Sequence, residues 1–479
     1  MKLAGLLLCL ALLAAPAVAE PFTRQTTLER VLADPDRFLD DYVRHEAPFF
    51  RIARHPQSAL TCDGWDLDPR TGQPVKPRYW SAPSKECLDV ALLVKAVEQD
   101  RRALMLVSRE EAVEILRRKL QSYLDYHRRY PLAGGWMPWY YGGHQADPAP
   151  GWEGNLPGLD NGEWVFALLV AEKVLRDRGY VELARGYREF LDLLETTAVP
   201  VFYDFEVGLV RGDVALSPDG YRTDPGRASH LTGEHGVHEG LMFVMFVTLF
   251  GRGLPEDAPG RIWAATRMVR VEHPVATTWQ GFWGSAHESW AYLFLPYRDL
   301  PEYRELFRLR EIIRTRNAAQ RGYCGLHASI HDPVTMQYVS NCGIEGIGTQ
   351  PIKYNHALAL YGAFPVLLAD RRAGAAWLYN MLDAPRMLGP LGGGESISND
   401  GRHFAPVKTI DGTFPILLAA MGGLEKETAA MLKERGLYQQ FCEILREEYR
   451  EAFGDAPLRC EADFALPPHP VPRELEDFD

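Results

Sequence analysis

The sequence predicts an all-α fold, a closed toroid of helical hairpins with long loops gathered at one mouth. Helical periodicity recurs along most of the chain, while strand-like runs are few and short. Helix follows helix through glycine- and proline-rich loops, without the ~34- or ~40-residue self-similarity of an open superhelical array. Ring closure is the remaining way for so many hairpins to share one core.

Taken in order, residues 1–19 read MKLAGLLLCLALLAAPAVA. Lys2, a short leucine-rich core and the small residues Ala17-Val18-Ala19 describe a secretory leader, with mature protein beginning near Glu20 in the periplasm or outside the cell. Cys9 lacks the small residue that a lipoprotein signal wants before its cysteine. No later run is long and apolar enough to span a bilayer.

Helices are predicted over 28–45, 88–99, 109–130, 162–177, 181–196, 235–250, 262–269, 286–296, 303–316, 354–368, 372–382, 414–420, 426–434 and 437–451. They lie in one domain over 20–465. The remaining 466–479, LPPHPVPRELEDFD, has no core-forming pattern and is expected to be mobile.

Lys+Arg 52 against Asp+Glu 64 gives a net charge of −12, and basic residues of 101–129 alternate with acids as on a solvated face. Phosphate binding needs concentrated positive charge, so nucleic acid is excluded as a partner. Without Cys9 the cysteines fall into three local couples, and Cys62–Cys87, Cys324–Cys342 and Cys442–Cys460 is the simplest of their pairings. None has zinc-site spacing. Neither a metal nor another cofactor is expected, and the chain is expected to be a monomer.

The loops carry the chemistry. Aromatic residues make up 11% of the chain, with 11 tryptophans, and a cluster of them, GGWMPWYYGGH at 134–144, runs ahead of GLDNGEWVFALLV at 158–170. Sugar rings offer apolar C–H faces to aromatic side chains and hydroxyls to carboxylates and amides. Trp136, Trp139, Tyr140, Tyr141 and Trp152 beside Asp160 and Asn161 would serve both. Asp160 or Asn161 could equally cap the helix that follows.

The design recurs. TGEHGVHEGLMFVMFVTLFG at 232–251 sets Glu234 and Glu239 before an apolar helix. Burial there would raise the pKa of Glu239, as a general acid requires, although a glutamate also stabilises a helix N-terminus through the dipole. His235 and His238 stand nearby without the usual zinc-helix spacing. His287 and Glu288 open a third helix, Tyr354 and His356 precede a fourth, and Asp411 stands before the apolar run at 414. Several such entrances in one chain point to inner helices converging on a polar pocket.

In order, the chain carries the aromatic loop, Leu159-Asp160-Asn161-Gly162-Glu163-Trp164, His238-Glu239-Gly240-Leu241-Met242, His287-Glu288-Ser289-Trp290, 322–329 (GYCGLHAS) and Ile410-Asp411-Gly412-Thr413-Phe414-Pro415. This succession over 134–423 resembles the glycoamylase-type (α/α)6 proteins, nearest the endo-β-1,2-glucanases of glycoside hydrolase family 144 and its relatives. The resemblance implies an inverting, endo-acting hydrolase of β-1,2-glucan, a neutral polysaccharide, with Glu239 as general acid, Asp411 as general base and Asp160 holding the sugar at the cleavage point. Gly240 stands where those proteins have an aromatic residue, and Gly412-Thr413 where they have Gln-Gly, which leaves Glu234 and Glu163 as reserves for the catalytic carboxylates.

Two other classes stay open at this level. A polysaccharide lyase on a similar toroid would use Tyr354 or His356 as base, but the acidic balance disfavours its uronate substrates. A non-catalytic periplasmic glucan-binding protein would need the aromatic loops and no acid/base pair.

Overall fold

A computed structural model describes residues 22–217, 219–223, 230–231 and 240–479. The predicted leader with Cys9 and the acid candidates Glu234 and Glu239, with His235 and His238, lie outside the described residues.

Two kinds of helix alternate along the chain. Pro35–Ile52, Arg109–Arg129, Val181–Phe202, Ala258–Ala265, Pro301–Gln320 and Arg371–Leu382 form the outer set. Arg109–Arg129 is typical: Ala112, Val113, Leu116, Leu120 and Tyr123 are buried on one stripe, and its arginines and glutamates face water. Pro83–Val97, Gly158–Asp177, Leu241–Phe250, Ala291–Phe294, Phe364–Ala369 and Ile410–Ala420 form the inner set. Every residue of Leu241–Phe250 is buried. A helix apolar all round has to be surrounded, which explains its place.

Among inner helices, Pro83–Val97 packs on Gly158–Asp177, that helix on Leu241–Phe250, Phe364–Ala369 on Ile410–Ala420, and the last returns to Pro83–Val97. The ring is the predicted (α/α)6 toroid. At one contact the backbones nearly touch, since a Cβ on Gly162 would lie 2.5 Å from Phe243. Glu425–Glu434 covers the C-terminal ends of the inner helices, with Arg176 2.5 Å from Glu434. The N-terminal ends therefore face the open mouth.

Short antiparallel strands fix those entrances. Leu156 pairs with Val214 just before the Gly158–Asp177 helix. Ser81 pairs with Tyr140 before Pro83–Val97. Gly64–Leu67 pairs on one side with Pro74–Arg78 and on the other with Val407–Thr409, which leads directly into Ile410–Ala420.

Four expectations change. The helix expected over 286–296 is a 3-10 turn, His287–Ser289, followed by a single turn, and the one expected over 354–368 opens as the strand Ala357–Ala359, paired with Ser396–Ser398. All six described cysteines are free. Two of the thiols donate to main-chain oxygens instead, Cys87 to the Ser84 carbonyl and Cys342 to the Ala328 carbonyl, both at 2.8 Å. Finally, 466–479 lacks helix and strand but is tied down rather than mobile. Val471 is buried, the Asn380 amide donates to the His469 carbonyl at 3.0 Å, and Arg70 meets Asp479 at 2.8 Å. Among the described residues no helix is long and apolar enough to cross a membrane.

One buried carboxyl gives a pH test of this packing. Burial, reinforced by the nearby Glu451 charge, pushes Glu448 up to about 7, against ~4.3 for a glutamate in an unfolded chain. The native state then holds a proton that the unfolded state has released, so this group's contribution is complete below ~4.3 and is lost as pH rises toward neutrality. Glu448→Gln is expected to melt higher than the native protein at pH 8, by ~1–3 kcal/mol in stability, with the gain vanishing near pH 4. Thermal unfolding at both pH values checks it; an equal effect at each would show that Glu448 does not titrate as described.

Candidate active site

The inner-helix entrances bring Asp160 and Asp411 to one place. Neither caps its helix. The Gly158–Asp177 helix begins two residues before Asp160 and has no side-chain cap, and the N-cap of Ile410–Ala420 is Thr409, whose hydroxyl accepts from the Gly412 N–H. Both carboxylates are free for other partners, which removes the capping explanation.

Asp160 takes hydrogen bonds from the Ser84 hydroxyl and from the Trp139 indole, the latter at 3.2 Å. Burial raises its pKa, and Asp411 adds like-charge repulsion, while the two hydrogen bonds and Lys85 oppose the rise. Lys85 is the cation of the site. Its Nζ lies 2.7 Å from Asp411 Oδ2, 3.6 Å from Asp63 Oδ1, and 4.9 Å from the centre of the Trp80 ring. Burial disfavours its charge, but the carboxylates of Asp411 and Asp63 outweigh burial and raise its pKa. The other oxygen of Asp411, Oδ1, has no hydrogen-bond partner among the described residues. A buried carboxylate oxygen left open in a site this polar is a place for a water or a sugar hydroxyl.

An aromatic shelf adjoins these groups. Trp80 stacks on Trp139 with centroids 5.7 Å apart, and Trp139 on Trp152 at 5.0 Å. All three remain partly exposed. Tyr141, 45% exposed, pairs with Trp80 across the strands at the same edge.

The remaining candidates divide. His287 belongs to the site: burial pushes it down to about 4, and Asp411 and Lys85 act on it in opposite directions. Its Nδ1 lies 3.3 Å from the Tyr361 hydroxyl. Asn161 is buried and positions the shelf loop, accepting from the Met137 N–H at 3.1 Å and donating to the Met137 carbonyl at 2.8 Å. Glu163 is buried one turn beyond Asp160.

Four assignments are corrected. Trp136 is a core residue, fully buried edge-on against Phe202, Phe243 and Phe246, so it offers no face to a ligand. Tyr140 points inward, its hydroxyl between Thr61 Oγ1 at 2.9 Å and Glu86 at 3.2 Å. Glu288 folds its own loop: it accepts from the N–H groups of Trp283, Gly284 and Ser285 and pairs with the buried Arg310. Tyr354 is half-buried and packs near His356, and no described hydrogen bond joins it to Asp160 or Asp411.

Sequence reasoning missed Lys85, Ser84, Asp63, Arg78 and Trp80. A signal was present, because WSAPSKE at 80–86 repeats the arrangement of an aromatic and polar entrance ahead of an apolar helix.

Residues 60–479 match the family described as SGL_GH162, Endo-beta-1,2-glucanase SGL. The chain belongs to this family of glycoside hydrolases. The sequence resemblance had placed it nearest family 144 and relatives; the matching family is 162. Membership sets aside the lyase and the non-catalytic binding protein.

Solved structures agree with this placement. An endo-beta-1,2-glucanase from Talaromyces funiculosus, determined as a mutant with beta-1,2-glucan and also with sophorose, is 29% identical to this glucanase-family chain, with 95% of this chain and 98% of that chain covered at a TM-score of 0.90. An endo-beta-1,2-glucanase from Chitinophaga pinensis, 15% identical over 87% of this chain and 97% of that one, has a TM-score of 0.64 and shares the fold. Among curated proteins no match is found.

Proposed function

We propose that this glucanase-family enzyme cleaves β-1,2-glucan internally and with inversion at the anomeric carbon. Asp411 is the general base, Glu239 the general acid, and Asp160 holds the sugar at the point of cleavage. The observation that carries this reading is the state of Asp411: one oxygen fixed by Lys85 at 2.7 Å, the other without a partner among the described residues, beside a tryptophan shelf. A general base needs a carboxylate oxygen with a free lone pair within reach of water, held in a fixed orientation. Asp160 is held by two neutral donors, the Ser84 hydroxyl and the Trp139 indole, which suits a carboxyl that binds hydroxyls.

The 29% identical relative that was solved with beta-1,2-glucan supports the substrate. Inversion requires the acid and base far enough apart, ~6.5–9.5 Å, to admit a water between them. In the sequence Glu239 directly precedes Gly240, the N-cap residue of one inner helix, whereas Asp411 belongs to another inner helix. Asp411 takes the water's proton directly or through an intervening water or sugar hydroxyl, and Glu239 protonates the departing oxygen. We further propose that the enzyme is exported to the periplasm or beyond, on the leader pattern of residues 1–19, and acts as a monomer without a cofactor.

The test is digestion of linear β-1,2-glucan, with β-1,3-, β-1,4- and β-1,6-glucans as controls, followed by chromatography and by NMR of the newly formed reducing ends. Short β-1,2-oligosaccharides are expected, appearing first as the α anomer. First appearance of the β anomer would establish retention and overturn the acid/base scheme; cleavage of another polymer instead would overturn the substrate.

A further inference from the structure

Asp411 is held from two directions by one polar circuit that passes through Glu395 and His331, neither of which figures in the scheme above. Glu395 is buried. Its Oε2 accepts from the Thr409 hydroxyl at 2.6 Å, and that same hydroxyl caps the helix carrying Asp411 by accepting from the Gly412 N–H at 3.0 Å. The fit is close: a Cβ on Gly412 would come within 2.5 Å of Glu395 Oε2.

The other carboxylate oxygen of Glu395, Oε1, lies 3.1 Å from His331 Nδ1, and His331 Nε2 lies 2.8 Å from an Arg78 Nη. A guanidinium nitrogen only donates, so Nε2 accepts, and the single ring proton is on Nδ1, directed at Glu395. Arg78 then binds Asp63 Oδ2 at 2.7 Å, and Asp63 Oδ1 is 3.6 Å from Lys85, the partner of Asp411. Asp63 closes the loop a second time, because its main-chain carbonyl accepts from the Ile410 N–H at 2.9 Å.

We propose that Glu395 and His331 are positioning residues for Asp411, fixing its backbone through Thr409 and its carboxylate through Arg78, Asp63 and Lys85. The proposal rests on the reading of Asp411 as the base. A base misplaced by a fraction of an ångström loses its alignment to water while the shelf that binds sugar is untouched. Removing the circuit should therefore lower kcat and leave KM nearly constant.

The experiment compares Glu395→Gln, Thr409→Val, Thr409→Ser, Asp411→Asn and the Glu395→Gln/Asp411→Asn double variant on β-1,2-glucan, each first checked for a native melting transition. Glu395→Gln and Thr409→Val are expected to lose about tenfold or more in kcat, with KM within about twofold. Thr409→Ser, which keeps the capping hydroxyl, is expected to retain kcat. In the double variant Glu395→Gln should cost nothing beyond Asp411→Asn, since its effect passes through that side chain. Native kcat in a folded Glu395→Gln and Thr409→Val, or a Glu395→Gln loss undiminished in the double variant, would overturn the circuit. Native kcat in Asp411→Asn would overturn the base assignment instead.

Discussion

Asp411→Asn is expected to lower kcat on β-1,2-glucan by about 10²–10⁴-fold while KM changes little. The substitution keeps size and shape, and Lys85 retains Asp63 at 3.6 Å, so the pocket should persist. An amide has no lone pair basic enough to take a proton from water, and that function exists only on the way to the transition state. Loss in kcat at constant KM is therefore the signature, measured by reducing-end release over a range of glucan concentrations. A parallel rise in KM would instead make Asp411 a binding residue, and unchanged rates would transfer the base role to Glu163, buried nearby.

Glu239→Gln is expected to produce a loss of the same order on polymer, for the opposite reason. The departing sugar oxygen needs a proton, and glutamine cannot deliver one. The two variants separate on an aryl β-sophoroside with an acidic phenol as leaving group. A phenolate departs without protonation, so Glu239→Gln should recover much of its rate on that substrate, and Asp411→Asn should stay slow because water must still be activated. Failure of the aryl substrate to rescue Glu239→Gln would move the acid role to Glu234.

Most of the ring was legible because it is written in periodicity. Arg109–Arg129 appears in the sequence almost to the residue, since its buried stripe and its Ser108 cap are local signals. The Ala357–Ala359 strand was not legible, because its identity depends on Ser396–Ser398 arriving from some forty residues away. At the site, Asp160 and Asp411 stood out as polar residues before apolar helices, and Trp139 as a member of the aromatic loop. Lys85 did not, for a lysine in a first turn reads as solvated until the carboxylates from two other segments are placed around it. Composition also cannot say which way a ring faces. Trp136 and Trp139 sit three residues apart in one loop, yet one fills the core and the other stacks in the open shelf.

The pairing of Gly64–Leu67 with Val407–Thr409 has a consequence for biogenesis. The strand that delivers Asp411 is anchored on one made more than three hundred residues earlier, with Asp63 and Lys85 waiting at its other side. A nascent chain on the ribosome could shape hairpin after hairpin and still possess no working site. Catalysis becomes possible only when the last inner helix joins the first, so activity reports on completion of the whole ring, and fragments ending before residue 411 should fold in part and hydrolyse nothing.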